Sequence, residues 1–264
     1  MAKRLTSVLL ILSIILFVAS SCKKADEGTD VGELISTAEQ TLDTQDHTVN
    51  ISISFISNDG DMKEALESFD STKITLRKSG DKINLELNVL FEELFVNTSY
   101  TVVSDTLYSK VESNLTGEVK GLHQRAMLTD AERGSIVDSA GAGEVLSWDD
   151  FNNVTLEEND AVHIITCRDI KDASVQSLVD TFKTAYAAEI DSVVVSDTEL
   201  IIRLLDGKYN GMYVSCTYAV TIDGVTYEVR MQLSREYDYT TPISITAPLN
   251  SEQYTLVPYD TIVK

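Results

Sequence analysis

The residues able to do chemistry are few and widely spaced. The three histidines, His47, His123 and His163, stand far apart, and none has the His-x-x-x-His spacing with which a helix grips zinc. The three cysteines, Cys22, Cys167 and Cys216, include no Cys-x-x-Cys and are too few for a disulfide framework. Acids adjoin at Glu92-Glu93, Asp149-Asp150 and Glu157-Glu158. Consecutive residues of a strand point to opposite faces, so such pairs read as solvated charges and not as an acid–base couple. Neither Asp149-Asp150 nor the run Glu157-Glu158-Asn159-Asp160 has the spacing of an EF-hand loop. No Gly-x-Ser-x-Gly elbow occurs, and Gly141-Ala142-Gly143 does not link a strand to a helix as a phosphate loop must. The expectation is a non-catalytic protein with no cofactor and no metal.

Cys22 has a different context. Residues 1–21 begin with Lys3 and Arg4, continue as an apolar run from Val8 to Val18, and end on Ala19-Ser20-Ser21. That is the layout of an export signal, and the apolar run is too short for a membrane span. The end, Val18-Ala19-Ser20-Ser21-Cys22, resembles the lipobox of bacterial lipoproteins, with Ala19 where leucine is usual. The resemblance implies cleavage before Cys22, lipid on its sulfur, and attachment to a membrane, with residues 22–29 as lipidated cysteine and tether. Each acyl CH₂ buried contributes about 0.8 kcal/mol, so several chains anchor firmly. No Asp follows Cys22 directly, which is similar to outer-membrane sorting in Gram-negative lipoproteins. Lys23-Lys24-Ala25-Asp26-Glu27 resembles a surface-export tag of Bacteroidetes lipoproteins. The implied location is the cell envelope, extracytoplasmic, at the outer membrane or cell surface.

Charge narrows the partners. The formal net charge is −21. Without Lys3 and Arg4 of the leader, the basic residues fall to 19 against 42 acidic, a net −23. Such a chain is repelled by nucleic acid and by anionic lipid surfaces, so no nucleic-acid partner is expected. With 43% hydrophobic residues and only three prolines, the rest is ordinary globular composition.

The elements that would position side chains are mostly strands. Met212 to Ser234 reads as a long hairpin turning at Asp223-Gly224, because a type I′ turn needs φ > 0 at both central residues. A two-residue turn puts Val214, Cys216, Tyr218, Val220, Tyr227, Val229, Met231 and Leu233 on one dry face. The other face carries Ser215, Thr217, Thr221, Thr226, Glu228, Arg230 and Gln232. Further hairpins are predicted at Ser79-Gly80, with Leu76 opposite Ile83, and at Ser104-Asp105, with Val102 opposite Leu107. A strand is predicted from Thr48, with short strands at Val193–Val195 and Leu200–Leu205 separated by a turn at Ser196-Asp197. Around Asn159 two registers compete. A two-residue turn at Asn159-Asp160 puts His163 and Cys167 on the face of Val154 and Leu156; a three-residue turn over Glu158 to Asp160 pairs Val154 with Ile164, gives the better apolar set, and is preferred. Only the two-residue turn would let Cys167 approach Cys216 for a disulfide, which requires Cα atoms within about 7 Å.

Helices are predicted at Asp30–Thr44 and Ala173–Glu189 from apolar residues at helical spacing. A third is expected over Asp130–Ser139, opened by the capping box Thr129-x-x-Glu132 inside an otherwise irregular segment, 117–150, read as a helical insertion or lid. The C-terminal Pro242–Pro248 stretch reads as extended and edge-like.

These features predict an α+β domain over 30–264, mostly antiparallel β. About ten strands would form a strongly curved open sheet or incomplete barrel, with two to three helices packed in its mouth. The lipobox, N-terminal helix, meandering strands, and the tail carrying Tyr237, Tyr239, Pro242, Ile245 and Pro248 resemble the LolA/LppX-type bacterial lipoproteins. That resemblance implies a concave apolar face holding an acyl chain or another hydrophobic ligand. On this chain the wall would be Val214, Tyr218, Val220, Tyr227, Val229, Met231 and Leu233. The competing expectation is an envelope or surface interaction protein whose same face is a filled core.

Overall fold

The structure is a computed structural model that describes residues 30–59, 63, 66, 72–91, 93–141, 146–186 and 191–263. The leader, Cys22 and the tether lie outside the described residues, as do Glu92, Gly143 and residues 187–189 of the helix predicted over Ala173–Glu189. The chain forms two compact units. Unit 1 takes residues 53–70 and 142–234 with the chain up to Glu39; unit 2 takes 40–52, 71–141 and 235–264.

Helix α1 (Asp30–Thr44) buries Ile35, Ala38 and Leu42, the stripe its spacing predicts. Strands follow as β1 (His47–Ser57), β2 (Lys73–Ser79), β3 (Lys82–Phe91), β4 (Leu94–Val103), β5 (Thr106–Ser113) and β6 (Lys120–Met127). Helix α2 (Asp130–Gly141) precedes β7 (Phe151–Asn159) and β8 (Val162–Ile170), and α3 (Asp172–Tyr186) precedes β9 (Ser192–Leu205), β10 (Lys208–Ile222) and β11 (Val225–Asp238). A two-residue strand β12 (Thr255–Leu256) and a single turn α4 (Tyr259–Ile262) end the chain. The strands hydrogen-bond in the order β12-β6-β5-β4-β3-β2-β1-β11-β10-β9-β8-β7, a twelve-stranded open sheet. The β12–β6 pair is parallel, whereas the pairs β2–β3, β4–β5, β7–β8, β8–β9 and β9–β10 are antiparallel.

The fold class is therefore as expected in outline, with twelve strands in place of about ten. Part of the difference is β6, which lies in the stretch read as irregular. Its sequence, Lys-Gly-Leu-His-Gln-Arg-Ala-Met, has no two-residue alternation, because its Lys120–His123 half is exposed. Segment 117–150 thus contributes a strand as well as α2, whose capping box forms as predicted. The Thr129 N–H donates to Glu132 (2.7 Å) and the Glu132 N–H to the Thr129 hydroxyl (3.3 Å).

Three registers differ from expectation. The β2–β3 turn is Gly80-Asp81, so Leu76 faces Leu85 and Ile74 faces Leu87. The two-residue slide keeps every side chain on its predicted face, so the apolar pattern could not detect it. What selects the observed turn is Asp46, whose carboxylate accepts the Gly80 N–H (3.0 Å) and the Ser79 hydroxyl (2.7 Å). The β7–β8 turn is two residues, Asp160-Ala161, with Asp160 at φ 51°. It pairs Val154 with Cys167 and Leu156 with Ile165, so the preferred three-residue turn is wrong and Cys167 is on the face of Val154. The expected pair of short strands at 193–195 and 200–205 is one strand, β9, carrying a bulge. Ser215 faces Glu199 while Thr217 faces Ser196, leaving Asp197 and Thr198 opposite Cys216 alone. The β4–β5 hairpin, with Val102 opposite Leu107, is as predicted.

Unit 2 has its own core of Val49, Leu76, Ile83, Val102, Leu107 and Leu128, with Tyr237, Tyr259 and Ile262 packed against it. In unit 1, α3 packs on β9, and the strands bury Ile165, Leu200, Ile202 and Leu204.

Candidate functional site

The Met212–Ser234 hairpin forms with its turn at Asp223-Gly224, as read from the sequence. Asp223 (φ 52°) and Gly224 (φ 75°) supply the two positive φ values, and the Thr221 and Thr226 hydroxyls meet at 3.0 Å where the predicted register puts them. The turn is held from outside by Asp191, whose carboxylate accepts the Gly224 N–H at 3.0 Å. Of the seven residues proposed as a ligand wall, Val214, Tyr218, Val220, Met231 and Leu233 are buried, each at most 8% exposed. Tyr227 and Val229, nearer the turn, are half-buried. Burial this complete is what side chains packed against their neighbours show.

Cys167 and Cys216 are both buried thiols and are not joined. The disulfide considered from the sequence does not form because β9 lies between their strands. Cys167 faces Leu200, and Leu200 faces Val214, so Cys167 stands two strand spacings, about 9.5 Å, from Val214 and farther still from Cys216, two residues along β10. Burial pushes the Cys216 thiol up to about 11, partly offset by a hydrogen bond with the Tyr218 hydroxyl. Burial likewise raises Tyr218 well above the usual phenol range. Neither group is poised as a nucleophile or base at neutral pH.

The opposite face of the same strands carries a cleft that pattern reading missed. It lies wholly within unit 1, is open, and has a volume of about 470 Å³, within the range of small-molecule sites. The row Arg168–Glu199–Ser215 crosses β8, β9 and β10 by direct register. Arg168 grips Glu199, with both Nε and a terminal nitrogen at 2.7 Å from Oε1. The bulge adds Asp197 and Thr198, β8 adds Asp169, and β11 adds Arg230. Asp169 (φ 61°) and Asp197 (φ 48°) both sit in the left-handed region, where Asp is among the few side chains tolerated.

The floor differs from the rim. Arg168, Asp169, Asp197 and Arg230 are exposed, whereas Ser215 (0%) and Thr198 (7%) are buried. Neither hydroxyl has a hydrogen-bond partner among the described residues. Such groups normally find one, so the Ser215 hydroxyl, on the polar face beside Glu199, calls for an occupant; Thr198, opposite Cys216 in the bulge, alternates with Leu200 and Ile202 on the dry face. The signals that could have found this site were the polar set Ser215, Thr217 and Arg230 on the second face of the hairpin, and Asp197, read as a turn residue.

No family model matches the chain, and no curated protein matches it. Among solved structures, the ywiB protein from Bacillus subtilis aligns over 73% of this chain and 91% of its own, at 8% identity and a TM-score of 0.18. A likeness that slight carries no argument about fold or function.

Proposed function

We propose that this is a non-catalytic, extracytoplasmic lipoprotein, held to the envelope through lipid on Cys22, that acts as an interaction protein with a filled core. One observation favours this over the carriage of an acyl chain: the near-complete burial of Val214, Tyr218, Val220, Met231 and Leu233. The carrier reading needs the strongly curved, incomplete barrel implied by the likeness to LolA/LppX-type lipoproteins, with those side chains bordering empty space. Their burial supports packing against neighbours over bordering empty space. The anchor rests on the lipobox-like residues before Cys22. Net repulsion from anionic surfaces makes that anchor, and not the domain's own charge, the means of membrane attachment.

The test has two arms. Cys22→Ala is expected to move the protein from the membrane fraction to the soluble fraction. Protein extracted in detergent is expected to show, by native mass spectrometry, only its covalently attached lipid, and to leave a fluorescent fatty acid unbound. Stoichiometric, saturable uptake of the fatty acid would restore the carrier reading, and unchanged membrane attachment of Cys22→Ala would remove the anchor.

A further inference from the structure

We infer that the unit 1 cleft is a binding site for a small zwitterion of the α-amino-acid class, one carboxylate and one ammonium a few ångströms apart. The inference goes beyond the envelope role. The cleft is on the polar face of the sheet, so the site stands whether or not the opposite face carries lipid.

The argument starts with what the lining leaves unsatisfied. Arg168 and Glu199 largely neutralise one another at 2.7 Å. What remains is Arg230, the carboxylates of Asp169 and Asp197, and the Ser215 hydroxyl on the floor. Among the described residues, neither Arg230 nor these two aspartates form an ion pair within 4.0 Å. A simple anion would face two guanidinium groups against three carboxylates and be repelled on balance. A bare divalent cation finds no group of three acids, histidines or cysteines arranged to hold it among the described residues. A sugar lacks its usual aromatic platform, since the apolar contribution to this lining is Ile170. A ligand carrying both charges matches both halves of the rim.

Geometry sets the charge separation. Asp197 is on β9, Ser215 on β10 and Arg230 on β11, three adjacent strands. The outer two backbones are about 9.5 Å apart. Side chains reaching inward from both sides close that span to a gap suited to a short zwitterion. Its carboxylate would accept hydrogen bonds from Arg230 and the Ser215 hydroxyl, and its ammonium would donate to Asp197 and Asp169. Every group left without a partner then gains one of the right kind.

The test is calorimetric titration of the full-length protein in detergent with glycine, leucine, lysine and glutamate in turn. Acetate and methylamine serve as single-charge probes. At least one amino acid is expected to bind saturably, and more tightly than either single-charge probe. Arg230→Gln should weaken that binding about tenfold or more through loss of a charge-assisted hydrogen bond, and Ser215→Ala severalfold. Arg230 is exposed, so its variant is expected to keep the parent's unfolding midpoint, which separates lost binding from lost folding. Three outcomes overturn the site: no saturable binding of any amino acid, acetate binding as tightly as the best amino acid, or amino-acid binding unchanged in Arg230→Gln. In the first case the Ser215 hydroxyl holds water only.

Discussion

Ser215 in unit 1 and His47 in unit 2 are both polar and both completely buried, and they are buried in opposite ways. His47 is closed in by its own chain. Its Nδ1–H donates to the Gln45 carbonyl (2.9 Å), its Nε2 is enclosed with no partner among the described residues, and its ring lies 5.9 Å from that of Tyr239. Beside it, Lys78 is itself buried and donates to the Asp43 carbonyl at 3.1 Å. Desolvation, with a smaller push from Lys78, lowers the His47 pKa and keeps the ring neutral. Ser215 has no hydrogen-bonding neighbour among the described residues and lies on the floor of an opening. Enclosure with a partner makes a polar group part of the fold; enclosure without one, next to solvent, makes it a place for something to bind.

Four measurements break or sharpen that contrast, taken from the largest effect down. His47→Ala removes a fully packed ring and its hydrogen bond, and should cost about 3 kcal/mol in urea unfolding. A loss no greater than that of Ser215→Ala would end the comparison. Second, the neighbour of Ser215 on the dry face should respond to alkali. The Cys216 pKa is raised when folded, so its contribution is complete below the ordinary thiol range and is lost as pH rises toward about 11. Relative to Cys216→Ala, the parent should lose about 2 kcal/mol across that window. Equal alkaline slopes in the two proteins would show that the thiol is not buried as described.

Third, acid should act through His47. Its pKa is lowered in the folded state, so the unfolded chain takes up the proton first. Stability should be complete above about 6.5 and fall as pH drops from there toward the lower native value. His47→Gln should flatten that part of the profile in chemical denaturation, and a profile identical to the parent's would assign the acid response to another group. Smallest of all, Ser215→Ala should leave stability within about 0.5 kcal/mol or raise it slightly, because it deletes a hydroxyl that has no bond to lose. A loss above about 1 kcal/mol would mean that Ser215 has a structural partner.

How much of this could be read in the sequence follows from what each feature depends on. The β10–β11 hairpin was legible because its turn chemistry and its alternation agree. The capping box at Thr129 and the stripe of α1 were legible for the same reason: all the interacting residues lie within one or two turns of chain. The β2–β3 register was not, because it is chosen by Asp46, a carboxylate from before β1, and the two candidate registers put the same residues inside. The β9 bulge was misread as a turn since Ser196-Asp197 has turn composition, and only pairing with β10 shows the strand continuing through it. The cleft depends on that bulge together with rows from four strands, and no local pattern encodes such a juxtaposition. The C-terminal Tyr-Asp-Tyr-Thr-Thr motif has a local explanation. Asp238 accepts hydrogen bonds from Thr241 and Thr240, which hold its carboxyl well below the usual range and turn the chain away from β11.

The short strand β12 bears on how the protein behaves at high concentration. An open sheet ends in rows of unpaired amides, and such rows are templates on which further copies can grow. At β6 the chain's own C-terminus occupies that position: Thr255 and Leu256 pair with Gln124 and Arg125, Val257 donates to the Arg125 carbonyl, and Tyr254 stacks on His123 with ring centres 5.1 Å apart. At β7 the protection is of another kind, for that strand presents Asn152, Asn153, Glu157 and Glu158 as exposed side chains. One terminus is guarded by a plug and the other by charge. A truncated chain lacking residues from 249 onward would keep the core strands of both units yet gain a sticky end, and its fault would be polymerisation.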